Sequence, residues 1–163
     1  IDLGTGSGAI ALALKKHLPQ AEVLAVDISS KALELATENA SLNNLEVHFL
    51  RSDLFANVRG PFDILVSNPP YISRNEVIEC IVHDNEPHLA LYAEKQGLYF
   101  YEEIFKNVSS FLKDSYLIAL EIPENHDESL VQLIRNYLPN SHFEILKDFN
   151  EKSRILLISH LWR

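Results

Sequence analysis

The chain contains no methionine, a single cysteine and a single tryptophan among its 163 residues. The lone Cys80 cannot close an internal disulfide, which points to a reducing compartment and makes cytoplasm the expected location. No apolar run approaches the roughly 20 residues that span a bilayer, and no basic-then-apolar leader precedes the first strand, so no membrane association is expected. Basic residues are in the minority, 14 against 23 acidic, for a net charge of −9. The short basic pieces, Lys15-Lys16, Arg51 and Arg59, never gather into a stripe, which weighs against a nucleic-acid partner, since that binding rests on clustered Lys and Arg. The seven histidines show no metal-ligand spacing, so no metal site is expected. Glycine is scarce too: there are five, and three of them fall at positions 4, 6 and 8.

What remains is ordinary globular composition, 47% hydrophobic and 23% charged. It is enough for one domain with a core of its own, 1–163. The opening Ile1-Asp2-Leu3 reads as the last residues of a buried strand, so the chain is expected to be a fragment whose preceding part holds the rest of that strand.

Along the chain the pattern alternates. After Ile1 to Leu3 comes the turn Gly4-Thr5-Gly6-Ser7-Gly8, then helical spacing from Ala9 to Leu18, stopped by Pro19. Glu22 to Val26 is a β-rich run closed by Asp27. Ser29-Ser30 offers an N-cap for a helix from Lys31 to about Leu42, stopped by Asn43-Asn44. Leu45 to Leu50 gives a third strand ending near Asp53. Phe62 to Val66 is short and almost wholly apolar, as expected of a strand covered on both faces. Residues 72 to 96 carry no clean periodicity and are expected to form a substrate-facing lid. Leu98 to Leu112 reads as a helix, Tyr116 to Ile122 as the fifth strand and Glu128 to Leu138 as a helix. His142 to Lys147 and Arg154 to His160 flank the turn 150–153 as an antiparallel hairpin. Alternating strands and helices followed by a hairpin predict an α/β fold with a doubly wound, mostly parallel sheet.

Two constellations carry chemistry. The first is Asp2-Leu3-Gly4-Thr5-Gly6-Ser7-Gly8 where a strand ends and a helix begins, and its glycines allow positive φ and close approach of a ligand to backbone N–H groups. The spacing differs from the Gly-x-Gly-x-x-Gly of dinucleotide sites. Asp27, 19 residues after Gly8, is placed to accept both hydroxyls of a ribose, or equally to cap a helix. Asp53 suits the exocyclic amine of an adenine, with Leu54 to cover the ring. Three strand ends with no phosphate-binding lysine describe a pocket for an adenosine-containing cofactor, and S-adenosylmethionine fits better than a nucleotide.

The second is Asn68-Pro69-Pro70-Tyr71 after the fourth strand, beside the point where strand order should reverse. Prolines fix the backbone so that the Pro69 carbonyl is aimed into the crevice. An NH2 group can donate one hydrogen to the Asn68 side-chain oxygen and the other to that carbonyl, while the Tyr71 ring packs on a planar amide or base. Both constellations, with Val26-Asp27-Ile28-Ser29, Ser52-Asp53-Leu54-Phe55, Glu86-Pro87-His88-Leu89-Ala90-Leu91, Gln96-Gly97-Leu98 and Arg154, resemble the HemK/PrmC protein-(glutamine-N5) methyltransferases over essentially the whole chain.

That resemblance implies a Rossmann-like class I sheet of seven strands, S-adenosylmethionine as donor with S-adenosylhomocysteine as product, and the glutamine of a Gly-Gly-Gln motif in a peptide chain release factor as substrate. It also implies a preceding helical domain that helps to recognise the release factor, and favours Glu86 as a substrate contact over a mere charge before a proline. A ribosomal-protein glutamine, an adenine-N6 group of a nucleic acid, and cofactor binding without turnover stay open as alternatives. Leu54 stands where the family often has tryptophan, and Glu121-Ile122-Pro123-Glu124-Asn125-His126 replaces Glu-Ile-Gly-x-x-Gln. Proline at 123 cannot copy a glycine at positive φ.

Overall fold

A computed structural model describes residues 1–70 and 97–161. Strand β1 (Asp2–Leu3) leads into helix α1 (Ala9–His17), then β2 (Leu24–Asp27), α2 (Ser30–Asn43), β3 (His48–Arg51) and β4 (Phe62–Ser67). Beyond position 97 come α3 (Tyr99–Val108), β5 (Leu112–Glu121), α4 (Asp127–Tyr137), β6 (His142–Lys147) and β7 (Ser153–His160). Among the described residues the seven strands form one sheet in the order β3-β2-β1-β4-β5-β7-β6. All neighbours are parallel except β7, which runs antiparallel to both β5 and β6. Strand order reverses between β1 and β4, so the carboxyl ends of those two strands flank the switch-point crevice in which open α/β sheets bind ligands.

Local chemistry explains the elements. Helix α1 is Ala- and Leu-rich, and Lys15, Lys16 and His17 sit in its last turn, where cations suit the helix dipole. Lys15 Nζ also donates to the carbonyls of Pro19 and Ala21, at 3.0 and 2.8 Å, which fastens the helix end to the approach of β2. Helix α2 is capped by Ser29, whose Oγ accepts from the Ala32 N–H, and ends at Asn44 in the left-handed conformation.

The main core lies on one face of the sheet, where Leu3, Leu65, Ile118 and Leu120 meet Tyr101, Ile104 and Phe105 of α3 and Leu130 and Ile134 of α4. A smaller cluster on the other face joins Ala11 of α1 to Val23 and Ala25.

The expected architecture is present, with boundaries corrected: β2 starts at Leu24 instead of Glu22, β3 at His48 instead of Leu45, and the largest change lies between α3 and β5. Helical spacing had carried α3 to Leu112, but the helix stops at Val108, a 3-10 turn covers Ser109–Phe111, and β5 starts at Leu112 instead of Tyr116. Leu112 pairs with Phe62, yet the next pair is Ile64 with Leu117, so Lys113, Asp114 and Ser115 form an exposed irregularity. Those three polar residues disguise the strand's first half, and the ring of Phe111 stacks on Phe55 at 4.6 Å, which anchors the turn. Residues 72 to 96, expected to form a lid, lie outside the described residues.

Candidate functional site

The site is built at the carboxyl ends of the parallel strands. Gly4, Gly6 and Gly8 have φ of +69°, +55° and +82°, the region where only glycine is unstrained. They serve different ends. A Cβ on Gly4 or Gly6 would meet nothing within 4 Å, so these positions open onto free space above the turn. A Cβ on Gly8 would stand 3.1 Å from Ala36 Cβ, so this third glycine lets α1 begin against α2.

Two carboxylates fasten the turn. Asp2 is wholly buried; its Oδ2 accepts from Thr5 Oγ1 at 2.6 Å and from the Ala11 N–H at 3.2 Å. Burial pushes the Asp2 carboxyl above the usual carboxylate range, against the opposing hydrogen bonds from Thr5 and Ala11. Its Oδ1 has no hydrogen-bond partner among the described residues. Asp27 is half-buried; its Oδ2 accepts from the Gly6 N–H at 2.9 Å and its Oδ1 from the Ser29 N–H at 2.8 Å. Of the two roles open to Asp27, the helix cap belongs to Ser29. A carboxylate oxygen has capacity for a second hydrogen bond, so each Asp27 oxygen can still accept one hydroxyl.

Thr5 is turned inward. Its hydroxyl donates to Asp2 and its N–H to the Val26 carbonyl at 2.9 Å, so it holds the turn's shape. Ser7 is exposed, and its carbonyl accepts from Asn39 Nδ2 at 2.9 Å, tying the turn to α2. At the end of β3, Asp53 is exposed and Leu54 half-buried at φ +44°. Ser52 sustains that left-handed leucine: its Oγ donates to the Leu54 carbonyl at 2.8 Å and accepts from the Asn57 N–H at 3.0 Å.

Asn68 follows β4 directly and is exposed, Pro69 is buried and Pro70 half-buried. Ser67, buried beneath them, donates from Oγ to the Leu3 carbonyl at 2.7 Å and locks the ends of β1 and β4 together. Tyr71 and Glu86 lie outside the described residues. The structure thus brings Gly4–Gly8, Asp27, Asp53, Leu54 and Asn68–Pro70 to one edge of the sheet. Sequence reasoning gave no role to Asp2, Ser52 and Ser67, although they stand within its motifs, and these three shape the edge from beneath. A carboxylate between Ile1 and Leu3 was the available signal for the first; the two serines carried none. Near Pro123, which is buried, the left-handed residue is Asn125 at φ +64°, so the chain turns two positions later than a glycine at 123 would allow.

The space over Gly4 and Gly6, the remaining lone pairs of Asp27, and the exposed Asp53 beside Leu54 fit a sulfonium-bearing adenosine with vicinal hydroxyls and no phosphates. Among the described residues no helix is long and apolar enough to cross a membrane, and no group of three His, Cys, Asp or Glu side chains could hold a metal ion.

The "Methyltransferase small domain" family model matches residues 1–97. A release factor glutamine methyltransferase of Streptococcus pneumoniae is 44% identical over 160 residues, which are 97% of this chain and 57% of that protein. A bifunctional methyltransferase of Rickettsia typhi is 39% identical over 98% of this chain and 32% of its own length. The chain therefore spans between about a third and somewhat over half of these curated relatives. Among solved structures, a ribosomal protein L11 methylase from Lactobacillus delbrueckii subsp. bulgaricus superposes with a TM-score of 0.73 at 22% identity, over 98% of this chain and 68% of that one. At that identity the likeness speaks for the fold, a class I methyltransferase sheet.

Proposed function

Because the chain belongs to the methyltransferase small domain family, we propose that it is the catalytic domain of an enzyme that methylates the side-chain amide nitrogen of a glutamine in a peptide chain release factor. The observation that carries this reading is the junction of β1 and β4, where the Gly4–Gly8 turn and Asn68-Pro69-Pro70 end neighbouring parallel strands in the same register, Leu3 opposite Ser67. It is supported by the 44% identity to a protein named for that activity.

S-adenosylmethionine, when bound, supplies a methyl group already activated on sulfonium sulfur. The protein's part is alignment and charge stabilisation. Gly4 and Gly6 would leave room for the cofactor, Asp27 would receive the ribose hydroxyls, and Asp53 and Leu54 would take the adenine. Asn68 Oδ1 and the Pro69 carbonyl accept the two amide hydrogens and fix the nitrogen's orientation. Tyr71 is proposed to pack on the amide plane and Glu86 to contact the substrate, both on sequence alone. Two acceptors on the N–H groups favour a partly pyramidal nitrogen, which restores nucleophilicity that amide delocalisation removes. The reaction is assigned to the cytoplasm, where translation supplies the substrate.

Incubation of the full-length protein with labelled S-adenosylmethionine and a release factor, beside the same factor with its Gly-Gly-Gln glutamine changed to alanine, tests the reading. Label on the first and not the second is expected. Equal labelling of both, or label only on a ribosomal protein or on DNA added to the mixture, would overturn it.

A further inference from the structure

Parallel pairing puts Ser67 beside Leu120, so the next residues along, Asn68 and Glu121, end adjacent strands in one register row. Neighbouring strands lie about 4.8 Å apart. Side chains alternate across a sheet, and Ile118 and Leu120 of β5, with Ile122 just after it, belong to the core under α3 and α4. Glu121 therefore projects on the opposite face, the one that carries Asp2 and Val66, and it is half-buried.

Its backbone is pinned from both sides. The wholly buried Tyr101 donates from its hydroxyl to the Glu121 carbonyl at 2.7 Å, and the following Ile122 N–H bonds the Arg154 carbonyl of β7 at 2.9 Å. Its carboxylate has no hydrogen-bond or ion-pair partner among the described residues, whereas the carboxylates at the ends of β1, β2 and β3 are committed or remote. Asp2 is sealed under the glycine turn, Asp27 holds two backbone N–H groups, and Asp53 ends β3, three strand spacings or about 14 Å from β4.

We propose that Glu121 is the proton acceptor of the methyl transfer, an inference that rests on the amide-methylation reading above. In the transfer the amide nitrogen forms a C–N bond while the sulfonium C–S bond breaks and leaves its electron pair on sulfur. The nitrogen is then one proton in excess. Breaking that N–H bond returns the electron pair to nitrogen and puts the proton on a Glu121 carboxylate oxygen, from which it passes to water. Asn68 Oδ1 and the Pro69 carbonyl orient the hydrogens but, as amide oxygens, are far weaker bases than a carboxylate. Glu121, one strand away, offers a carboxylate that has no partner among the described residues.

The test uses full-length wild-type protein with Glu121→Gln, Glu121→Asp and Glu121→Ala variants, a release factor as substrate, and calorimetric Kd values for S-adenosylmethionine and for the release factor. Positioned acid–base groups contribute about a hundredfold or more, so kcat of Glu121→Gln should fall by about that factor while both Kd values stay within about threefold. Glu121→Asp should retain part of the rate, and added formate should restore part of the Glu121→Ala rate by standing in for the missing carboxylate. A Glu121→Gln protein with kcat within about threefold of wild type, or one that loses affinity for either partner in step with kcat, overturns the proposal. Absence of formate rescue does so as well. The two readings separate cleanly. Wild-type protein that leaves the release-factor glutamine unmodified sinks the function and this role with it, and wild-type activity matched by Glu121→Gln sinks this role alone.

Discussion

Asp2 shows how a single residue can shape a ligand site without lining it. Its folded-state carboxyl titrates above its unfolded value because burial disfavours the charge. Between those two values the native state holds a proton that the unfolded chain has lost, so this group's contribution to stability is present at low pH and declines as pH rises through the folded value. The Asp2→Asn variant should lack that slope. Urea unfolding at a series of pH values from 4 upward should show wild type losing stability relative to the variant, and parallel curves would refute the buried-charge account. The glycines make a complementary pair. Gly8→Ala should cost about 2 kcal/mol or more, since it adds a contact with Ala36 at 3.1 Å to a left-handed φ. Gly6→Ala should cost about 1 kcal/mol from φ alone yet abolish most cofactor affinity, because its Cβ would enter the open space proposed for the cofactor. Denaturation and calorimetry on the two variants separate these effects. The positions of Asn68, Asp27 and the glycines at strand ends were legible in the sequence because their spacing reflects local backbone needs. The roles of Asp2 and Ser67 were not, because their partners, Ala11 for one and Leu3 for the other, are set by how the chain folds back.

At the scale of elements, α3 and β5 act as one unit. Tyr101, in the first turn of α3, reaches the carbonyl at the very end of β5. Tyr101→Phe keeps the ring and removes the hydroxyl, leaving that carbonyl without this donor. A loss of about 1 kcal/mol in urea unfolding is expected, and no loss would mean that water replaces the hydroxyl. The strand–helix alternation, the hairpin and the Ser29 cap followed from periodicity and capping chemistry. The start of β5 did not, since Lys113, Asp114 and Ser115 look like a turn and are strand only through the pairing of Leu112 with Phe62. The hairpin turn is likewise fixed by one side chain. Asp148 accepts from the N–H groups of Lys152 and Asn150 and pairs with Arg154, and the Lys152 N–H foremost among these holds its carboxyl below the usual range.

Across the whole molecule, the strand order divides labour. The carboxyl ends of β1, β2 and β3 lead to the turn, Asp27 and Asp53 proposed to hold the cofactor, while those of β4 and β5 lead to Asn68 and Glu121 proposed to act on the acceptor amide. Substitutions on the two halves should therefore fail differently. Asp27→Ala removes a charged partner of the Gly6 and Ser29 N–H groups and should weaken S-adenosylmethionine binding by about 1.5–3 kcal/mol. The most direct measurement is on the other half: single-turnover methylation of a release factor by full-length wild-type and Asn68→Ala protein, with cofactor Kd measured alongside. A rate lower by about a hundredfold or more, with cofactor affinity changed by less than about threefold, is the predicted result. Near-normal transfer by Asn68→Ala would contradict the claim that this residue aligns the amide nitrogen.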